Sequence, residues 1–271
     1  MTGCLLHIIQ GMRKTVTSEN TQAAIEVKAL DRYFGPIHAV RNISFSVRRG
    51  EVLGFLGPNG AGKSTTMKMI TGFLEPSNGT VLVNGRNVVD EPILAKSAIG
   101  YLPEGAPSYG EMTVGHFLEF IAEIRGFKGA EKHKRVTNAV EQINLESVVH
   151  QTIDTLSKGY RRRVGLAQAI LHDPGILVMD EPTDGLDPNQ KHEVRSLIKR
   201  MSADKAIIIS THILEEVDAV CTRAIIIAHG QLLFDGTPAE LRARADDNDI
   251  EHAFRNITTG SSTSYRETSK P

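Results

Sequence analysis

The sequence predicts an α/β chain whose sheet carries a phosphate-binding loop. Two observations predict it. In the C-terminal half, short β-branched apolar runs alternate with segments of helical periodicity, the pattern of buried parallel strands with helices packed on them. Further upstream, "GPNGAGKST" (Gly57 to Thr65) fits the spacing G-x-x-x-x-G-K-[ST] between an apolar strand and the helical pattern "STTMKMITGFL".

"AIEVKAL" (Ala24–Leu30) and "NISFSV" (Asn42–Val47) alternate apolar and polar residues, as half-buried strands do. "GEVLGFLG" (Gly50–Gly57) is a more continuously apolar strand running into the glycine-rich turn, and "TVLVNG" (Thr80–Gly85) is a further strand with a turn behind it. From about Val114 to Ala169 charges interleave with apolar residues at helical spacing, so a helical insertion is expected. Three apolar strands follow, "GILVMD" (Gly175–Asp180), "AIIIS" (Ala206–Ser210) and "AIIIAHG" (Ala224–Gly230), with helical segments "QKHEVRSLIKRM" and "ILEEVDAVC" between them. "GQLLFDGTPAEL" reads as a hairpin and then a helix begun at Thr237-Pro238. Residues 1–23 and the Ser/Thr-rich tail from Thr258 are expected to be disordered.

The chain has 271 residues, 40% hydrophobic and 23% charged, which suffices for a substantial core. Lys and Arg number 31 against 32 acids, so there is no overall basic footprint of a nucleic-acid binder. Cys4 and Cys221 are far apart with no CxxC, which argues against a disulfide framework or a structural zinc site and for a reducing compartment. No apolar run reaches the roughly 18–20 residues a membrane helix needs.

The chemistry of the phosphate loop is direct. In the loop Gly57-Pro58-Asn59-Gly60-Ala61-Gly62 the glycines let the backbone curl so that N–H groups point at one spot, and the following helix adds its positive end. Lys63 is placed to reach β/γ phosphates and the Ser64 hydroxyl to bind Mg²⁺, with Thr65 completing the motif. In "VMDEPTDGLDP" (Val178–Pro188) a greasy strand ends in Asp180, Glu181, Asp184 and Asp187. A strand ending in a solvated acid is common. Behind a phosphate loop, Asp180 at the strand end is placed to hold Mg²⁺, directly or through water, and Glu181 follows it. Without metal and nucleotide the crowded acids should be strained or mobile.

Phosphate loop, "DEP", "GLDP" and "STH", in that order, resemble the nucleotide-binding domain of ABC (ATP-binding cassette) transporters. "LSKGYRRRVGLAQAIL" (Leu156–Leu171) is similar to that family's signature: Leu156, Ser157 and Gly159 match, while Lys158 and Tyr160 replace Gly and Gln. "YLPEGAPSYGEMTV" and the ending "IEHAFRNITTG" resemble the ABC-2 exporter branch, including gliding-motility and multidrug-type ATPase subunits. The resemblance implies a P-loop NTPase of the ABC ATPase fold: a mixed sheet with a RecA-like core, an antiparallel β subdomain and an α-helical subdomain. It places the ATPase domain at residues 24–240, with the helical part at about 105–169, and a short extension at 241–271.

The resemblance also implies the roles. Phe34 stacks on adenine, with Tyr33 as fallback. His212 reaches the γ-phosphate and Glu181 activates water. Ser157 and Gly159 cap the γ-phosphate of ATP held by the opposite subunit, and Asp187 links the two subunits. Glu104 stands where the family has glutamine; it keeps an oxygen ligand for Mg²⁺ but adds charge beside a triphosphate. The implied protein is an ATP hydrolase that dimerises on ATP, with itself or a sibling, and drives export through a separate polytopic membrane subunit. It would lie on the cytoplasmic face of the membrane, with residues about 104–160 as docking face and no nucleic-acid partner. One alternative is a soluble ABC-type ATPase acting on nucleic acid or ribosomes, but no coiled coil separates Lys63 from Asp180 and only one such domain is present. The other is a non-ABC P-loop NTPase, for which no N-K-x-D motif is found.

Overall fold

The computed structural model describes residues 23–106 and 108–259. The expected N-terminal disorder (all but residue 23), the tail beyond Thr259 and Cys4 lie outside the described residues, whereas Thr258 and Thr259, expected to be disordered, end the last helix with their hydroxyls bonded to its carbonyls. The chain opens with a long hairpin, β1 (Ile25–Phe34) and β2 (Ile37–Val47), turning at Gly35-Pro36. Both strands run longer than the alternating pattern suggests. Past Leu30 their residues are held by cross-strand pairing, such as Tyr33 with His38, and not by burial of one face.

β3 (Val52–Leu56) leads through the glycine-rich turn into α1 (Lys63–Ile70). β4 (Asn78–Val83) pairs with β1, and the short β5 (Arg86–Asn87) pairs with β4, completing an antiparallel sheet of order β2-β1-β4-β5. Next come α2 (Pro92–Ser97) and β6 (Ile99–Leu102), then three helices, α3 (Val114–Ile124), α4 (Gly129–Ile143) and α5 (Lys158–Ile170). β7 (Ile176–Asp180), α6 (Pro188–Met201), β8 (Ala206–Thr211), α7 (Leu214–Val220) and β9 (Arg223–Ala228) alternate after them. β10 (Gln231–Gly236) returns antiparallel along β9, and α8 (Pro238–Arg242) starts from a capping box formed by Thr237 and Glu240. In α9 (Ile250–Thr259), Ala253 is buried, and Ile250, Phe254 and Ile257 pack on the core at helical spacing.

The second sheet runs β10-β9-β3-β8-β7-β6, with the five strands from β9 to β6 mutually parallel. Its strands are apolar throughout because both faces are covered. The period-2 alternation of a strand divides them between two cores. Leu53, Phe55, Ile176, Val178, Ile208, Ile225 and Ile227 face α1 and the antiparallel sheet. Val52, Leu56, Leu177, Met179, Ile207, Ile209 and Ile226 face the helical side. Each such side chain contributes about 1.5–3 kcal/mol by leaving water. Among the described residues no helix is long and apolar enough to cross a membrane.

Candidate nucleotide site

Parallel register sets the site. Leu56 of β3 lies opposite Thr211 of β8, Asp180 of β7 opposite Ser210, and Leu102 of β6 opposite Met179. The turns after these four strands therefore emerge at one edge, the carboxyl end of a parallel sheet, where open α/β sheets bind ligands. Those turns carry Lys63, Glu104, Glu181 and His212.

Gly57 has φ 157°, and a Cβ there would lie 2.1 Å from the Ile227 carbonyl oxygen, so only glycine lets the loop pass. Gly62, at φ 106°, is the N-cap of α1 and provides no capping side chain, which leaves the helix's positive end to the loop's interior. The Lys63 ammonium donates to the Gly57 carbonyl at 2.6 Å and to that of Pro58 at 3.1 Å. Burial lowers its pKa, and the charges of Glu181, Asp180 and Glu104 offset part of that effect.

Asp180 is buried. Its Oδ1 accepts from the Ser210 hydroxyl, while Oδ2 finds no partner among the described residues. Glu181 follows in the left-handed region at φ 51°, a conformation costing a non-glycine residue about 1–2 kcal/mol. Its amide donates to the Ser210 carbonyl at 3.2 Å and hydroxyl at 3.1 Å. Its carboxylate lies 2.9 Å from Nδ1 of the half-exposed His212. The expected strain in the acid-rich stretch thus sits at Glu181.

An orphaned buried carboxylate oxygen calls for a cation. The balance of charge leans the same way, since Asp180, Glu181 and Glu104 outnumber Lys63 and the buried Arg162 that face them. The buried Tyr101 hydroxyl is also unpartnered among the described residues, and burial beside the charges of Asp180 and Glu104 pushes its pKa up to about 12. Among the described residues no cluster of three or more His, Cys, Asp or Glu could enclose a metal ion. A cation here would take oxygen ligands from few protein groups and the rest from phosphate and water, which is the habit of Mg²⁺. Ser64, Asp180 and the exposed Glu104 fit that donor set.

Ser157 caps α5, its hydroxyl accepting from Tyr160 N at 3.3 Å. A Cβ at Gly159 would meet Gln190 Oε1 at 2.7 Å, so a side chain there would displace the Gln190 amide from its place beside Asp187. Asp187 caps α6 in a capping box with Gln190. Phe34 is half-exposed with the Arg32 guanidinium 4.7 Å above its ring, whereas Tyr33 is stacked on His38 at 3.9 Å. Each of the two rings thus has a partner of its own, and they are equally exposed.

Several residues carry more of this edge than sequence reading assigns. Asp184 forms a 2.8 Å ion pair with Lys158, which ties the start of α5 to the turn after Glu181 and holds the Asp184 carboxyl below its ordinary range. Buried Glu216 accepts from Thr183 and Thr211, bracing that same turn against the residue before His212. Buried Arg162 of α5 donates to the carbonyls of Pro103, Asp180 and Glu181. The signal for Glu216 was a charge four residues before Val220 on the apolar side of a short helix. Arg162 stood unremarked inside the basic run "RRR".

A parallel sheet with a phosphate loop, a buried acid at the end of a neighbouring strand and a carboxylate–histidine pair beside it defines a P-loop nucleotide-binding domain. The family model described as ABC transporter matches residues 40–184, more than half of the chain. The probable multidrug ABC transporter ATP-binding protein YbhF of Escherichia coli (strain K12) is 33% identical over 261 residues, covering 93% of this chain and 43% of the relative. The chain thus spans less than half the length of that relative. The ABC transporter ATP-binding protein NatA of Bacillus subtilis (strain 168) is 34% identical over 220 residues, covering 80% of this chain and 89% of the relative. A solved structure of the ATP binding subunit of an ABC transporter matches with a TM-score of 0.79 at 30% identity, covering 86% of this chain and 99% of its own. The chain belongs to the ABC transporter family, and its fold is that of the family's ATP-binding domain.

Proposed function

We propose that the chain is the ATP-hydrolysing subunit of an ABC-2 type exporter, working as a dimer on a separate membrane subunit at the cytoplasmic face. The observation that carries this reading is the Glu181–His212 pair, 2.9 Å apart, beside buried Asp180 and Lys63. Lys63 exchanges the loop carbonyls for β/γ phosphate oxygens, while the loop N–H groups from Gly57 to Thr65 hold the phosphates and Phe34 stacks on the base. Ser64, Asp180 and Glu104 would hold Mg²⁺, which when bound neutralises phosphate charge. Glu181 accepts the proton of the attacking water, and His212 holds its carboxylate and contacts the γ-phosphate.

Ser157 and Gly159 complete the site of a second copy or a sibling chain, whose approach Asp187 helps to link. A membrane subunit needs an apolar landing face; within residues 104–160 Tyr109 and Ile124 are exposed, and Phe73, Ile93 and Leu94 are exposed outside that range. Around Lys96 the ends of α1, α2 and α3 converge: Arg125 donates to the Lys96 carbonyl, and Gly72 abuts the Lys96 side chain.

Glu181→Gln tests the reading. Nucleotide should still bind and turnover should fall by about 10²–10⁴-fold, with the chains trapped as a closed dimer on size-exclusion chromatography in ATP. Turnover close to that of the unaltered chain would refute the assignment.

A further inference from the structure

We propose that Arg162 is a positioning residue for hydrolysis: its guanidinium fixes the peptide that follows Glu181 and so aims the Glu181 carboxylate. This rests on the reading of Glu181 as the base. Arg162 lies on the first turns of α5, five residues beyond Ser157, and is only 6% exposed. Nη1 donates to the Pro103 carbonyl at 2.9 Å, immediately before Glu104. Nη2 donates to the carbonyl of Asp180 and, at 2.5 Å, to that of Glu181. One side chain thus binds three backbone carbonyls on two segments of the site.

The peptide after Glu181 needs such a hold. Glu181 is in the left-handed region, and Pro182 brings no N–H to that peptide. On the near side the Glu181 amide is held by Ser210. On the far side the only handle is the Glu181 carbonyl, which takes Arg162 and the turn amide of Asp184 at 3.1 Å. Without Arg162 the far peptide keeps only the Asp184 amide on its carbonyl, so its orientation is held less firmly and the carboxylate's aim with it. Because Arg162 rides on α5, the pose of Glu181 follows the helix whose capped end presents Ser157. Lys158, paired with Asp184, makes the same connection at the next turn.

The test is a double-mutant cycle between Arg162→Met and Glu181→Gln, measured as steady-state ATPase on the full chain. Arg162→Met alone should lower kcat by about tenfold or more and change KM by less than about threefold. In the Glu181→Gln background it should cost less than about twofold further, because the group it aims is gone. Arg162→Lys, which keeps the charge but reaches fewer carbonyls, should fall between. A full additional loss in the Glu181→Gln background, an effect confined to KM, or no effect on kcat would overturn the proposal. If Arg162→Met does not fold, Arg162→Lys is carried through the same cycle under the same criteria. A Glu181→Gln variant with undiminished turnover would instead refute the assignment of the base, whatever Arg162 does.

Discussion

Replacing Glu216 with alanine should destabilise the fold heavily, though the residue touches no predicted ligand. The carboxylate is 2% exposed and accepts from two hydroxyls, those of Thr183 and Thr211, both also buried. Arg195 lies 3.8 Å away on α6. Truncation strands two buried donors at about 1–3 kcal/mol each, since a buried group without a partner bears its full desolvation cost. With the weakened Arg195 the total is about 4 kcal/mol. For a chain of this size that corresponds to a melting temperature lower by about 8–16 °C. Glu216→Gln keeps the shape and one acceptor and should cost about 1–2 kcal/mol. Urea unfolding followed by circular dichroism, at unchanged m-value, measures both variants. A loss below about 1 kcal/mol for alanine would refute the reasoning, because it would mean that water or a rearranged turn satisfies the two threonines at no cost.

Stability should depend on pH through His172. Its Nε2 lies 3.1 Å from the Ile99 carbonyl oxygen, and burial, aided by the nearby Arg125 charge, lowers its pKa to about 4. The unfolded ring takes its proton near 6.5, so between those values the unfolded chain binds the extra proton and stability falls as the pH drops from 6.5 to 4, by about 3 kcal/mol. His172→Gln should flatten that part of the profile in urea titrations at successive pH values; an unchanged slope would assign it to other groups. Gly57→Ala should abolish nucleotide binding, measured by equilibrium dialysis, because its Cβ would overlap the Ile227 carbonyl. Tyr109→Ser should leave the isolated chain's ATPase within about twofold while weakening co-purification with the membrane subunit, and a collapse of basal ATPase would argue against a docking role.

The phosphate loop was legible because its chemistry is local. Glycines at fixed positions and a lysine after the last of them specify a backbone conformation and a charge within nine residues. The apolar strands were legible for the same reason, since burial on both faces leaves isoleucine runs. The outer ends of β1 and β2 were not, because exposed pairing across a hairpin leaves no hydrophobic pattern. Asp184 had no readable purpose until folding brought Lys158 of a distant helix within 2.8 Å.

By itself the sequence determined the kind of site: which groups could meet phosphate, which acid ends which strand, and which helix begins at Ser157. Only the tertiary structure decided how those groups are held. Strand order and parallel register placed four separate turns on one edge of the sheet. Glu216 and Arg162, unremarkable as letters, turned out to be the buried polar links between those turns. The reason is physical: a ligand-facing residue is recognised by its own chemistry, whereas a bracing residue is defined by partners remote in the chain, and those exist only once the chain has folded.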